Sequence, residues 1–382
     1  MPPAEQVEQV TPQACGPVDA APGPPGVLHL VLPGAVRDPG RPSGGNVYDL
    51  RLCGELRRAG WTVHELVVAG NWPRPAPAAL DRLAAVVATV PTGAPLLVDG
   101  LVASAAARVL VPAAARVRLT VLVHLPLGHD TPDARPDEQA VLAAAAAVVT
   151  TSGWTRRWLE DAYGLAPERL HRAPPGADPA ALTRPDPAGG RLLCVGAVSR
   201  TKGQELLVAA LAHLANVAGP AAPDWTCTCV GSLDVDPAFA DRLRAMVGSA
   251  GLTDRVRLLG PRTGAQLDAA YAGADLLVLP SRIETYGMVV TEALARGVPV
   301  LATDVGGVTE ALLGADEDPR SALPVPGVLV PAEDATALAA ALRLWWTDPS
   351  WRDRLRRAAR AHRDRLAPWA GTAATVAEAV RS

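Results

Sequence analysis

Residues 280–307 read PSRIETYGMVVTEALARGVPVLATDVGG, and this stretch decides the fold. The apolar run DLLVLPS, residues 275–281, leads into this stretch and predicts a buried strand. RIETYG then predicts a loop, MVVTEALARG a helix and PVLAT a second strand. A strand, a helix and a parallel strand form a βαβ unit, and such units build parallel sheets that are covered by helices. The stretch therefore predicts an α/β fold with the RIETYG loop at the carboxyl edge of a sheet.

The same alternation fills both halves of the chain. Residues 173–190, APPGADPAALTRPDPAGG, interrupt it with Pro, Gly, Ala and Asp in no regular period. Because 382 residues exceed what one hydrophobic core fills, we predict two Rossmann-like, doubly wound domains that face each other across a cleft. The predicted domains are 27–178 and 179–365, a disordered tail precedes them over 1–26, and a helix over 366–382 packs back on the first domain.

Composition narrows the class of partner. The net charge of -3 and the pI of about 6.2 argue against nucleic acid and favour a small-molecule substrate. The five cysteines are scattered without CxxC spacing, which predicts neither disulfides nor a metal site. The start of the chain does not resemble a signal peptide, and no apolar run is a convincing membrane span. We therefore expect a soluble, cytoplasmic protein, and contact with a membrane surface stays open.

Two glutamates and a glycine on the RIETYG loop and the following helix suggest a specific ligand. Glu284 lies on the loop and Glu292 about one turn inside the helix. Gly287 between them lets the backbone approach a ligand, and the N–H groups of Met288 and Val289 lie at a helix end that attracts anions. Carboxylates bind vicinal hydroxyls, so the pattern fits a nucleotide sugar, which has hydroxyls at both ends and a diphosphate between. The alternative is that both glutamates are solvated surface residues.

The sequence contains a single lysine, Lys202, among many arginines. Lysine provides a compact, rotatable ammonium that the planar guanidinium of arginine cannot replace. Lys202 and Arg200 follow the predicted strand RLLCVGAV, where cations can reach a diphosphate and stabilise it as a leaving group. The alternative is a pair of surface cations on a loop.

Together, the stretches PSRIETYGMVVTEALARGVPVLATDVGGVTEAL, VGAVSRTKGQELLVAAL and RPSGGNVYDL resemble the retaining, GT-B-fold glycosyltransferases of family 4. The resemblance implies that Glu284 contacts the donor sugar, that Glu292 binds the ribose hydroxyls and that Lys202 binds the diphosphate. In the family an arginine directly follows the VG pair. This chain has Ala197 there, and Arg200 is the nearest substitute.

Further residues take their roles from the same resemblance. Gly44 and Gly45 match the family's GG loop, whose backbone approaches the donor, and His124 matches a histidine near the transferred sugar. A packed histidine without a catalytic role is an equal alternative for His124. Glu310, in GGVTE, is either a ligand contact or a residue that the helix dipole favours at a helix N-terminus.

The resemblance implies transfer of a hexose from a UDP- or GDP-sugar to an acceptor hydroxyl with retention at the anomeric carbon. It implies no metal and no cofactor beyond the nucleotide sugar. The acceptor is a saccharide, a lipid or a small metabolite, and the oligomeric state is not indicated. Two alternatives remain, namely a nucleotide-sugar epimerase of the same fold and a non-catalytic nucleotide-sugar-binding protein. A dinucleotide-dependent dehydrogenase is disfavoured because no GxGxxG follows the first strand.

Overall fold

The computed structural model describes residues 26–217, 224–314 and 324–382. The tail predicted over residues 1–26, except for its last residue, lies outside these ranges, as does Cys15. The other four cysteines are buried and free.

The first domain is a six-stranded parallel sheet in the order β2-β1-β3-β4-β5-β6. Its strands are β1 (Val27–Pro33), β2 (Thr62–Val68), β3 (Pro95–Asp99), β4 (Arg118–Val123), β5 (Ala147–Thr150) and β6 (Leu170–Arg172). Its helices are α1 (Gly44–Arg58), α2 (Pro77–Ala88), α3 (Gly100–Ala103), α4 (Ala107–Ala113), α5 (Leu127–Asp130), α6 (Arg135–Ala144) and α7 (Gly153–Tyr163).

The second domain is also a six-stranded parallel sheet, in the order β12-β11-β10-β7-β8-β9. Its strands are β7 (Arg191–Val195), β8 (Thr226–Val230), β9 (Val256–Leu258), β10 (Leu276–Leu279), β11 (Val300–Thr303) and β12 (Gly327–Val330). Its helices are α8 (Gln204–Val217), α9 (Pro237–Ser249), α10 (Ala265–Ala272), α11 (Met288–Ala295), α12 (Val308–Leu313), α13 (Ala335–Thr347) and α14 (Pro349–His362). A last helix, α15 (Trp369–Ala379), follows.

Local sequence explains where several helices begin. Ser43 caps α1 by accepting a hydrogen bond from the Asn46 N–H at 3.1 Å, and Asp236 caps α9 at the Phe239 N–H at 3.0 Å. Such caps satisfy N–H groups that have no partner inside the helix. In α9 the cap is followed directly by Pro237, whose fixed φ suits the first helical position.

Both sheets are buried on two faces, as expected for parallel sheets covered by helices. Strand β10 and strand β11 are buried at every residue. Helix α15 returns to the first domain, where Trp369 and Val376 join the core beneath α1 and the Tyr48 ring meets that of Trp369 edge to face. Because parallel strands of one sheet end at the same edge, the loops after β1, β3, β4, β7, β8 and β10 cluster at two facing sheet edges. None of the described helices is long and apolar enough to cross a bilayer.

Candidate functional site

A cavity of about 400 Å³ lies between the two domains, at the carboxyl ends of their strands. It is lined by the start of α1, by the loop after β4, and by the loops after β7, β8 and β10. Every predicted site residue except Arg200 is among the residues that line it: Gly44, Gly45, His124, Lys202, Glu284, Gly287, Met288, Val289 and Glu292. The side chains at positions 202, 284 and 292 thus share one cavity.

On the first-domain side, the backbone of α1 approaches the cavity closely. A Cβ atom on Gly45 would lie 3.2 Å from Cδ2 of His124, and one on Gly44 would lie 3.5 Å from Sδ of Met288 in the other domain. Position 45 is therefore tight against the imidazole ring, whereas position 44 is at ordinary contact distance from the opposite domain. Both glycines belong to the first turn of α1, just after the Ser43 cap.

Lys202 and Glu284 form an ion pair inside the cavity, with Nζ 2.5 Å from Oε2. The Ser281 hydroxyl donates to the same carboxylate oxygen at 3.2 Å. Lys202 ends a short 3₁₀ turn, and Gly203 behind it has a φ of 66°. A Cβ at position 203 would lie 2.1 Å from the Pro280 carbonyl, so only glycine brings the lysine this close to the β10 loop.

Helix α11 points its N-terminus at the cavity. Gly287 has a φ of 97°, which a side chain would disfavour, and turns the chain from the β10 loop into the helix. The N–H groups of Met288 and Val289 are in the first turn, where amides lack partners inside the helix and carry partial positive charge. This end of the cavity suits an anion.

Glu292 lies one turn further along α11 and is held by Tyr271 of α10. The Tyr271 hydroxyl donates to Oε2 of Glu292 at 2.7 Å. Burial raises the pKa of Glu292 above its ordinary value of 4.5, although this hydrogen bond and the nearby guanidinium of Arg296 oppose the shift. The Arg296 guanidinium also lies over the Tyr271 ring at 4.7 Å. A partly buried carboxylate with a fixed direction is suited to accept hydrogen bonds from hydroxyls.

His124 belongs to a buried cluster that the sequence did not indicate. Its Nε2 atom lies 2.9 Å from Oδ1 of Asp49 on α1 and 3.4 Å from Oδ2 of Asp99 at the end of β3. Burial alone would lower the pKa of His124, but the charge and hydrogen bond of Asp49 and the charge of Asp99 outweigh it and raise the pKa. The one available signal was that Asp99 ends a strand beside the strand that leads to His124.

The predicted role of Arg200 finds no support in the geometry. Arg200 is exposed and is not among the residues that line the cavity, whereas Thr201 and Lys202 of the same 3₁₀ turn do line it. A different arginine, Arg262, lines the cavity from the loop after β9. Sequence reasoning missed Arg262 because it follows a three-residue strand at the edge of the sheet.

Glu310 contacts the other domain. Its Oε2 accepts a hydrogen bond at 2.7 Å from the N–H of Gly153, the first residue of α7. Its Oε1 lies 3.7 Å from Nη1 of Arg172. Glu310 does not line the cavity. Of the two alternatives left by the sequence, the structure agrees with a position at a helix N-terminus, because Glu310 lies in the first turn of α12. It also contacts the N-terminus of α7 in the facing domain.

Residues 186–362 match the family model described as "Glycosyl transferases group 1". A D-inositol 3-phosphate glycosyltransferase of Jonesia denitrificans is 32% identical over 251 residues, covering 61% of this chain and 57% of that protein. The lipopolysaccharide core biosynthesis mannosyltransferase LpsB of Rhizobium meliloti is 32% identical over 208 residues, covering 53% of this chain and 56% of that protein. This chain therefore spans somewhat more than half the length of these curated relatives.

Solved structures resemble the whole fold. Sucrose-phosphate synthase of Thermosynechococcus elongatus superposes with a TM-score of 0.75 at 22% identity, covering 93% of this chain and 98% of that one. HepE of Anabaena, in complex with UDP and glucose, gives a TM-score of 0.72 at 20% identity and covers 92% and 98%. The predicted pair of facing Rossmann-like domains, the GT-B arrangement, is confirmed.

Proposed function

We propose that this chain transfers a hexose from a nucleoside diphosphate sugar to an acceptor hydroxyl, with retention at the anomeric carbon. The match of residues 186–362 to the group 1 glycosyltransferase model and the GT-B fold support this proposal. The observation that carries the proposal is that Lys202, Glu284 and Glu292 line one cavity with the N-terminus of α11. The two carboxylates then face the ribose and the transferred sugar, and the lysine and the α11 amides face the diphosphate between them.

In the proposed orientation of the donor, the ribose lies at Glu292 and the sugar at Glu284. Glu292 accepts hydrogen bonds from the ribose hydroxyls, the amides of Met288 and Val289 receive the diphosphate, and Glu284 accepts hydrogen bonds from the sugar hydroxyls. A cavity of about 400 Å³ is within the usual range for a ligand of this kind. HepE, which has a similar fold, was solved in complex with UDP-glucose. That complex supports a nucleoside diphosphate sugar as the donor.

The reaction follows from where charge develops. As the bond between the anomeric carbon and the phosphate oxygen breaks, negative charge grows on the leaving diphosphate. Lys202 and the α11 amides stabilise that charge, and preorganised groups of this kind supply the largest part of many rate enhancements. The acceptor hydroxyl attacks the face that the diphosphate leaves, and the departing phosphate oxygen takes its proton. Closure of the two domains excludes water and limits hydrolysis of the donor.

We propose that no metal takes part in this step, since a lysine and a helix end can serve the diphosphate. The acceptor is proposed to be a saccharide, a lipid or a small metabolite. The names of the relatives add a phosphorylated cyclitol and a lipopolysaccharide core sugar to the acceptors worth testing.

A panel of nucleoside diphosphates and their sugars tests the donor by thermal shift, because a ligand that binds only the folded state raises Tm. Turnover is then measured with the selected donor and a panel of acceptors, and NMR of the product reports the anomeric configuration. The proposal expects product only when an acceptor is present, with the configuration of the donor. Conversion of the donor alone into an isomeric sugar nucleotide would instead identify an epimerase. Binding without turnover across the panel would favour a non-catalytic nucleotide-sugar-binding protein.

A further inference from the structure

The Asp49, Asp99 and His124 cluster lies directly behind the wall of the cavity. Asp49 is completely buried and the His124 side chain is 17% exposed, so the histidine is the member that reaches the cavity. The imidazole is held by the edge of the Tyr48 ring, at 5.0 Å between centroids, and by the backbone of Gly45. With Nε2 bound to the aspartates, Nδ1 is the nitrogen left for a ligand.

Asp49 and Asp99 have too few hydrogen-bond donors around them for both carboxylates to be charged. Oδ2 of Asp49 is buried without a hydrogen-bond partner among the described residues. Burial and the charge of Asp49 raise the pKa of Asp99 to about 7, although His124 opposes the shift. A proton on Asp99 provides a donor for the second aspartate and leaves the pair with one negative charge, as is usual for two carboxyl groups that share a site.

We propose that Asp49 is a positioning residue for the transfer reaction: it holds the Nε2–H of His124, so that Nδ1 faces the transferred sugar, and it shares the proton of Asp99. This inference rests on the proposed function. His124 then carries a proton at Nδ1 that it donates to a sugar hydroxyl. The hydrogen bond at Nε2 and the packing of Tyr48 and Gly45 fix the position of the ring. A misplacement of about 1 Å is enough to cost a large part of the rate.

A purely structural role explains these residues less well. A buried ionic cluster is weak support for stability, because apolar side chains of similar volume often serve a core at least as well. The cluster also lies at the one end of the sheet that faces the cavity. The groups that face His124 are Asp49 and Tyr48 from α1 and Asp99 from β3. Asp130 from α5 of the same domain and, from the second domain, Lys202 and Glu284 line the same cavity.

The first test replaces Asp49 by asparagine, which keeps the shape and removes the charge. We expect Asp49→Asn to lower kcat by roughly tenfold or more while KM for the donor changes little. Since the charge of Asp49 raises the pKa of His124, the alkaline limb of the kcat profile moves to lower pH in this variant. In a His124→Ala background the same substitution has no further effect on kcat. Independent, multiplying losses, or an unmoved alkaline limb, would overturn the proposal.

A matched control is available in Asp275, another fully buried aspartate, which accepts hydrogen bonds from Arg191 at the opposite end of the second sheet. Asp275→Asn should lower Tm and leave kcat and its pH profile unchanged. If Asp49→Asn does not fold, Asp99→Asn tests the same arrangement, because asparagine resembles the protonated aspartate. It should keep wild-type kcat below pH 7 and lose the ionisation near 7. Loss of activity at low pH would contradict the shared proton.

NMR of the imidazole nitrogens separates failure of this inference from failure of the proposed function, because it needs no turnover. The chain has seven histidines, and His124→Ala assigns the signal. We expect protonated Nε2 and a pKa that falls in Asp49→Asn, even if no donor is ever turned over. An unchanged pKa would overturn the inference while leaving the proposed function intact. Activity that is lost with a chelator and restored by a divalent cation would also overturn it, by assigning the three residues to a metal site.

Discussion

Nζ of Lys202 and Oε2 of Glu284 lie 2.5 Å apart, although the two residues are 82 positions apart in the chain. The pair joins the loop after β7 to the loop after β10, at the centre of the second sheet. Each side chain neutralises the charge of the other inside the cavity. Under the proposed function, the diphosphate of the donor competes for the lysine and the sugar competes for the glutamate. The ion pair would then be preorganised for the two groups that the breaking bond joins.

Replacement of Lys202 should reduce turnover far more than stability. Lys202→Ala removes the ammonium that stabilises the leaving diphosphate, and we expect kcat to fall by roughly a hundredfold or more. Lys202→Arg keeps the charge but not the compact shape, so it should recover only part of the rate. Steady-state kinetics with thermal melts of each variant checks this. Wild-type kcat in Lys202→Ala would remove the lysine from the mechanism.

Arg262 and Arg200 provide a paired comparison of two arginines. Arg262 lines the cavity, and its guanidinium donates to the Pro261 carbonyl at 3.1 Å. Arg200 is exposed and outside the lining. We expect Arg262→Ala to weaken binding of the nucleoside diphosphate and to reduce its dependence on salt, whereas Arg200→Ala leaves the dissociation constant unchanged. Calorimetric titration at two ionic strengths measures both. The reverse order would restore the role that the sequence suggested for Arg200.

The raised pKa of Glu292 predicts a pH dependence for donor binding. The ionised carboxylate is the better acceptor for ribose hydroxyls, so the affinity for nucleoside diphosphate should rise as pH increases from 4.5 through the pKa of Glu292. Tyr271→Phe removes a hydrogen bond that lowers this pKa, so the limb moves to higher pH. Glu292→Gln should weaken binding and flatten the profile.

Stability should follow the opposite course. When folding raises the pKa of a carboxyl group, the folded state binds its proton more tightly than the unfolded state does. The protein therefore becomes less stable as pH rises from the pKa of the unfolded state through that of the folded state. Denaturant titrations between these limits should therefore show a shallower fall in Glu292→Gln than in the wild-type protein. A profile that is identical in both would contradict the assignment of the raised pKa to Glu292.

The sequence predicted helices and strands better than it predicted contacts between side chains that are distant in the chain. The apolar runs DLLVLPS and PVLAT correspond to β10, Leu276–Leu279, and β11, Val300–Thr303, because buried parallel strands are continuous and hydrophobic. Strand β6 gives no such signal, since Leu170–Arg172 is three residues long and contains His and Arg. Helix α1 begins at Gly44, three residues before the apolar pattern starts, because Ser43 caps it there.

Local sequence patterns were sufficient to predict site residues only where those residues lie on one loop and the helix that follows it. Glu284, Gly287 and Glu292 share one loop and helix, and their spacing alone suggested a ligand. Asp49 and Asp99 lie 75 and 25 positions before His124, on different elements, and only the folded sheet brings them together. No periodicity or spacing in the chain encodes such a contact.

Gly306 offers a test of how tightly the loop after β11 packs against the loop that contains Glu284. Its φ is 57°, and a Cβ atom there would lie 1.8 Å from the Glu284 carbonyl oxygen. Gly306→Ala should therefore destabilise the fold by about 3 kcal/mol or more and displace Glu284. Gly54 is the matched control, since it lies within α1 and an added Cβ has nothing within 4 Å. Gly54→Ala should stabilise by up to about 1 kcal/mol. Equal melting temperatures for the two variants would contradict this packing.

The contact between Glu310 and Gly153 predicts an effect on the balance between transfer and hydrolysis. Glu310 places an acidic side chain at the N-terminus of α7 in the facing domain, with the Gly153 N–H donating at 2.7 Å. An acid in this position contributes about 0.3–1 kcal/mol, which favours the arrangement in which the two domains meet.

Glu310→Ala should weaken that arrangement without touching the cavity, because Glu310 does not line it. We expect the dissociation constant for nucleoside diphosphate to change little, while hydrolysis of the donor in the absence of acceptor rises relative to transfer, since a less closed cleft admits water. Glu310→Gln is the conservative comparison, because its amide oxygen can still accept from the Gly153 N–H, and it should keep most of the wild-type ratio. Chromatographic measurement of free sugar against transfer product gives the ratio directly. A ratio that is unchanged in Glu310→Ala would show that this contact does not control closure.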